Sequence, residues 1–253
     1  MSPEEFQTVK MHDLDVVSGP YAIIGIVIIV LFVIIAIARM PKNADKNHTI
    51  SFFPTLKRIF SLPRYREGVI AQFFYVGAQI MCWTFIVHYG TRLFMSQGMG
   101  EQDAEVLSQQ YNIVAMAIFI ICRFISTFLM KFVRPGRLLM LFAIGGFMLV
   151  LGVIFFQSII GLYCLVGVSA FMSLMFPTIY GIALRGLGED AKFGAAGLIM
   201  AILGGSVMPP LQGAIIKQGT LFSMPAENVS FIIPLICFVI ITIYGFRTRN
   251  FSH

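Results

Sequence analysis

Seven predominantly apolar windows dominate this chain, near residues 21–39, 68–91, 111–131, 138–156, 160–183, 194–216 and 229–246. Each reaches the roughly 17–25 residues that a helix needs to cross a hydrocarbon core. Open strands are excluded at that depth, because their unpaired backbone groups would find no water. The fold class that follows is all-α and integral to a lipid bilayer, with seven transmembrane helices. Composition agrees: 58% of the 253 residues are hydrophobic and 12% are charged. That is about half the charged fraction of an ordinary soluble domain. The first window has no basic preamble or small-residue cleavage motif before it, so it reads as a retained span.

The charges are segregated. Formal net charge is +6, but the basic residues stand in a few short connections, which reads as membrane topology rather than nucleic-acid binding. Arg39, Lys42, Lys46, Lys57, Arg58, Arg64 and Arg66 follow the first window. Lys131, Arg134 and Arg137 join the third to the fourth, Arg185 and Lys192 the fifth to the sixth, and Arg247 and Arg249 follow the seventh. The alternate connections, 92–110 and 217–228, are poor in base. The phase never breaks, which predicts an N-terminus outside and a C-terminus in the cytoplasm. Residues 1–20 are then extracytoplasmic, 40–67 form a basic cytoplasmic loop, and 247–253 a cytoplasmic tail. Within that loop Phe52, Leu56 and Phe60 recur every fourth residue beside Lys57 and Arg58, the pattern of a short interfacial helix.

The polar residues inside the windows carry the functional signal. Gln72, Tyr75, Gln79 and Trp83 fall within an arc of roughly 80° at helical pitch. An amide turned to lipid would lose its water partners at a cost of about 2–7 kcal/mol, so this stripe faces other helices or a wet cavity. Amide donors and acceptors beside flat aromatic faces also suit an uncharged sugar. A purely structural reading, polar glue between helices, accounts for one glutamine better than for two. In the fifth window Ser169, Ser173 and Tyr180 share an arc of roughly 40°, with Pro177 on its flank removing a backbone donor and predicting a kink. Taken alone, each serine fits bonding back to the preceding turn of its own helix slightly better. In the sixth window Gly197, Ala201 and Gly205 form a small-residue stripe suited to close helix packing.

Other chemistries find little support. The predicted spans contain no Asp or Glu, whereas intramembrane proton relays and aspartyl proteases rest on buried acids. Arg123 is the clear cation within a span, read as a structural or gating residue near the cytoplasmic side. His88 reads as an interfacial histidine. Cys82, Cys122, Cys164 and Cys237 all lie in apolar runs without a CxxC or Cys/His pattern, so neither a disulfide framework, a metal site nor a cofactor is called for. No catalytic residues are assigned, and the chain is not read as an enzyme.

At the level of motifs, Val69-Ile70-Ala71-Gln72-Phe73-Phe74-Tyr75-Val76-Gly77-Ala78-Gln79 followed by Cys82-Trp83 resembles the seventh helix of the fucose/galactose/glucose–proton symporters of the major facilitator superfamily. Ser169-Ala170-Phe171-Met172-Ser173 through Pro177-Thr178-Ile179-Tyr180 resembles their tenth helix, and Ile202-Leu203-Gly204-Gly205 through Pro209-Pro210 their eleventh. The resemblance implies helices six to twelve of a twelve-helix transporter. Residues 21–39 would be the last helix of an N-terminal bundle, and 68–246 the six-helix C-terminal bundle. It further implies a monosaccharide substrate bound between two bundles, with Gln72, Tyr75, Gln79 and Trp83 lining the cavity. Arg123, Lys131, Arg134, Arg137 and Pro177 would serve gating or structure. Protons would be co-transported, with the coupling carboxylates in the N-terminal bundle, and the setting would be a bacterial inner membrane.

Three alternatives stand beside this partial-transporter reading. One is a half-transporter subunit that needs a separately encoded N-terminal bundle. A second, of another class, is a seven-helix receptor or light-driven pump, although residues 229–246 lack the lysine that a retinal Schiff base needs. The third, an intramembrane enzyme, lacks any Ser/His pair or paired acids on facing helices.

Overall fold

The structure is a computed structural model that describes residues 18–20, 22–34, 37, 52–221 and 224–250. The chain divides into two units, Met1–Thr49 and Ile50–His253. The described part of the first is an apolar helix, α1, over Ser18–Ile34. It occupies most of the first predicted span; the basic residues expected at 39–46 lie outside the described residues.

The second unit is a helical bundle. A short helix, α2 (Phe52–Ser61), precedes α3 (Pro63–Ser96), α4 (Glu101–Leu129) and α5 (Pro135–Phe155). The fifth predicted span is two segments, α6 (Ile159–Met172) and α7 (Met175–Leu184). The sixth is α8 (Ala191–Met200) and α9 (Gly204–Ile216), joined by a 3₁₀ turn, and the last is α10 (Ala226–Ser230) with α11 (Ile232–Thr248). Among the described residues, six helical stretches are long and apolar enough to cross a membrane. A two-stranded hairpin, β1 (Thr220–Leu221) with β2 (Met224–Pro225), lies in the connection between α9 and α10, outside those stretches.

The helices overrun the predicted windows, and this corrects one expectation. α3 begins at Pro63, a residue pre-shaped for a first turn, and so takes in Glu67. α4 begins with Glu101 and Asp103 in its first turn, where a helix dipole favours acids. Glu227 opens α10. Acids therefore stand within the membrane helices, though only in their end turns. Glu67 pairs with Arg247 at 3.0 Å and Glu227 pairs with Arg92, so two of these charges tie helix ends together. Gly98 ends α3 at a φ of +91°, the left-handed conformation that glycine adopts without strain. The connection to α4 is thus far shorter than the window pattern suggested.

α3 and the α6–α7 stretch are the central helices: 56% of the most apolar window of each is buried, against 11% for α4 and 22% for the α8–α9 stretch. α8–α9 runs parallel to α3, with Gly197 beside Tyr65, Gly204 against the Phe73 backbone and Gly77 against Met208. The predicted small-residue stripe does pack closely, and Gly204 joins it. α5 and α11 run antiparallel, with Gly136 against Thr248, Gly245 against Met140 and Gly146 against Phe238. Glycine brings these backbones within van der Waals contact, the packing mode that replaces hydrophobic driving force inside lipid.

Candidate functional site

The α3 stripe divides by depth. Gln72 and Tyr75 are fully buried, while Gln79 and Trp83 are half-buried. The Tyr75 hydroxyl donates to the carbonyl of Met172 at 3.0 Å, and the Trp83 Nε1–H donates to Ser169 Oγ at 3.2 Å. Both bonds bind α3 to α6. Among the described residues, the Gln72 amide has no hydrogen-bond partner at either its nitrogen or its oxygen. Gln79 makes no side-chain hydrogen bond among the described residues.

Aromatic rings extend the stripe. Phe119 of α4 meets Trp83 edge to face at 5.1 Å between centroids, and the Arg123 guanidinium lies 5.9 Å from the same Phe119 ring. Arg123 itself is exposed. Phe176 of α7 packs against Tyr75 at 6.2 Å and stacks on Tyr180 at 6.3 Å with 11° between planes. The structure therefore brings Trp83, Phe119 and Arg123 into one neighbourhood on α3 and α4, with Gln79 one turn before Trp83 on α3. Tyr75, Phe176 and Tyr180 lie beside it on α3 and α7. Phe119 escaped the sequence reading because an apolar ring in an apolar helix gives no signal of its own.

The break between α6 and α7 falls at Ser173 and Leu174. Ser173 is four residues before Pro177, the position whose carbonyl a proline cannot bond and with which its ring collides. The predicted kink is thus a break in the helix at that carbonyl. Ser173 takes the modest reading: its hydroxyl donates to Ala170 O at 2.7 Å and lies 3.5 Å from Ser126 Oγ. Ser169 instead accepts from Trp83.

The basic residues Lys131, Arg134 and Arg137, read as gating or structural, stand apart from Trp83. Lys131 follows α4 with its Nζ 5.5 Å from the Phe128 ring, Arg134 immediately precedes α5, and Arg137 is exposed in its first turn. They stand at the α4–α5 connection, near the α11 end that Gly136 touches, and not around Trp83. His88 is exposed and rests on Phe85. Two buried amides were missed. Gln212 Nε2 donates to Ser230 Oγ at 3.0 Å, and Asn228 Nδ2 donates to Val153 O at 2.7 Å. Gln212 was legible by the rule that found Gln72, an amide inside an apolar window.

Six membrane-length helices with this order and packing define a multi-pass membrane protein with the fold of a major facilitator transporter. The structure superposes on the crystal structure of FucP, a transporter of that superfamily, in the outward conformation, with a TM-score of 0.76 at 30% identity. The match covers 100% of this chain and 59% of that one. No family model matches the chain. It is 54% identical over 248 residues to the L-fucose-proton symporter of Haemophilus influenzae, covering 98% of this chain and 56% of that protein. It is 31% identical over 257 residues to the Escherichia coli L-fucose-proton symporter, covering 99% and 56%. A glucose/galactose transporter of Brucella abortus is 29% identical over 236 residues, covering 92% and 54%. The chain is related to these sugar transporters and corresponds to their C-terminal part; it spans about half the length of the curated relatives it matches.

Proposed function

We propose that this chain forms the C-terminal half of a sugar–proton symporter of the fucose/galactose/glucose type, working by alternating access against an N-terminal bundle. The observation that carries the reading is Gln79, an amide without a hydrogen-bond partner among the described residues, half-exposed on α3 one turn before Trp83, whose ring meets Phe119. An amide offers a sugar hydroxyl both a donor and an acceptor, and the rings offer the flat apolar surface that the C–H face of a pyranose covers. Gln72 and Tyr75, one turn and more deeper, set the floor of this half-cavity and meet the sugar only if α6 and α7 shift at the Ser173 break. Arg123, Lys131, Arg134 and Arg137 act on the cytoplasmic side, in closure rather than in binding. Substrate sites between two rocking bundles are common in secondary transporters.

The acids of the described membrane helices sit in end turns, two of them in ion pairs, so the proton-carrying carboxylate belongs to the N-terminal bundle. Whether that bundle precedes this sequence in one polypeptide or comes from a second one, the chemistry is the same. The setting is a bacterial inner membrane, with the N-terminus outside and the C-terminus in the cytoplasm. Proteins related to this chain are named as transporters, and transport alters no covalent bond, so no enzymatic step is assigned.

The test is uptake of labelled L-fucose, D-galactose and D-glucose in transport-deficient vesicles. One set holds this chain alone, and another holds it joined to the N-terminal part of the Haemophilus influenzae symporter. The joined form is expected to take up at least one sugar with protons, and Gln79→Ala to lower that uptake more than tenfold, while the chain alone takes up none. Uptake untouched by Gln79→Ala would overturn the assignment of the cavity face.

A further inference from the structure

An apolar groove of 510 Å³ lies between α2, α3 and α8, away from the Gln79 neighbourhood. Its walls include Leu56 and Phe60 of α2, Ile70 and Phe73 of α3, and Met200 with Leu203 at its far end. These side chains are open to the surroundings: Ile70 is 46% exposed, Met200 77% and Leu203 61%. Because α3 and α8–α9 run parallel, their N-terminal ends lie at one membrane face, and the mouth of the groove lies there too.

That mouth is basic. Lys57 adjoins Leu56, Arg66 stands one turn before Ile70, and Lys192 adjoins Phe193. All three are exposed, and none has an ion pair among the described residues. The nearby acid Asp190 is already held by Arg58 through two bonds of 2.8 and 2.6 Å. From Lys192 to Leu203 the helical rise amounts to roughly 16 Å, about half of a ~30 Å hydrocarbon core. The groove is therefore one leaflet deep, dry along its length and cationic at its interfacial end.

We propose that it binds an anionic phospholipid, one acyl chain lying along Ile70, Phe73 and Met200 and the phosphate held by Lys57, Arg66 and Lys192. A docked helix would use the apolar walls and leave the three cations idle; a lipid with a negative headgroup uses both. Interfacial basic residues attract anionic headgroups in this way, and the amphipathic α2 supplies both one wall and one cation.

Native mass spectrometry of the detergent-purified chain tests this, with dioleoyl-phosphatidylglycerol against dioleoyl-phosphatidylcholine, which share their acyl chains. Phosphatidylglycerol is expected to be retained in preference. Lys57→Gln, Arg66→Gln and Lys192→Gln should each cut that retention about fivefold and leave phosphatidylcholine unchanged. All three are exposed, so their folding is not at stake. Ala196→Trp, which fills the groove, should lower retention of both lipids. Equal retention of the two lipids, or a preference that survives the triple glutamine variant, would overturn the proposal. So would disulfide cross-linking of an Ile70→Cys variant to a second copy, which would assign the groove to a helix. None of these outcomes depends on sugar uptake.

Discussion

Among the described residues, Gln72 is a wholly buried amide with neither end partnered, a burden of about 1–3 kcal/mol for each unsatisfied group. The proposed sugar site would account for such an amide, as one held for a ligand. Gln72→Leu is therefore expected to raise the unfolding free energy of the solubilised chain by about 1–3 kcal/mol, read from thermal unfolding in detergent. Gln79→Leu, half-exposed, should move it by less than about 0.5 kcal/mol. A Gln72→Leu protein that melts lower would mean that the amide has a partner. The stripe was legible because amides and an indole are anomalous in an apolar run, and their common face follows from helical pitch alone. How deep each lies was not. The burial of Tyr75 and Gln72 depends on which helices cover them, and sequence spacing within one helix carries no record of its neighbours.

Pro177 and Gly204 show what was legible one level up. The proline foretold a kink, and its geometry fixes the break at the carbonyl four residues earlier. Pro177→Ala is expected to restore a slowly exchanging amide at position 177, measured by hydrogen exchange, and to lower uptake by the joined transporter by stiffening α6 and α7 into one rod. A rapidly exchanging amide at position 177 in the variant would separate the break from the proline. For the small-residue stripe, pitch identified Gly197, Ala201 and Gly205, but the tightest approach is at Gly204, where an added methyl would meet the backbone of Phe73. Gly204→Ala should cost about 1–3 kcal/mol by overpacking. Gly213, in the same helix with nothing within 4 Å of an added methyl, should gain up to about 1 kcal/mol as alanine. Helix ends were the least legible feature. A hydropathy window stops at the first charges, whereas the backbone continues through Glu67, Glu101 and Glu227, which ion pairs or the helix dipole stabilise.

Across the molecule, membrane class came from composition and the order of spans from hydropathy. The relation between helices, α3 and α6–α7 central with α4 and α8–α9 mostly uncovered, came only from the structure, because apolar residues facing lipid and facing protein look alike in sequence. The alternation of Lys and Arg predicts sidedness. In intact cells a membrane-impermeant maleimide should label a Ser96→Cys variant, and should label Arg134→Cys only after lysis; the reverse pattern would invert the topology.

The cavity face itself has a built-in reporter, since Trp83 is the sole tryptophan of the sequence. Titrating the membrane-inserted chain with L-fucose, D-galactose and D-glucose while following tryptophan emission addresses that face directly. If α3 presents half of a sugar site, one of these sugars will change the emission saturably, in the millimolar range where about 4 kcal/mol of binding suffices, and Gln79→Ala will abolish the change. Emission indifferent to all three sugars, in protein shown to be inserted, would mean that Gln79 and Trp83 do not face the substrate.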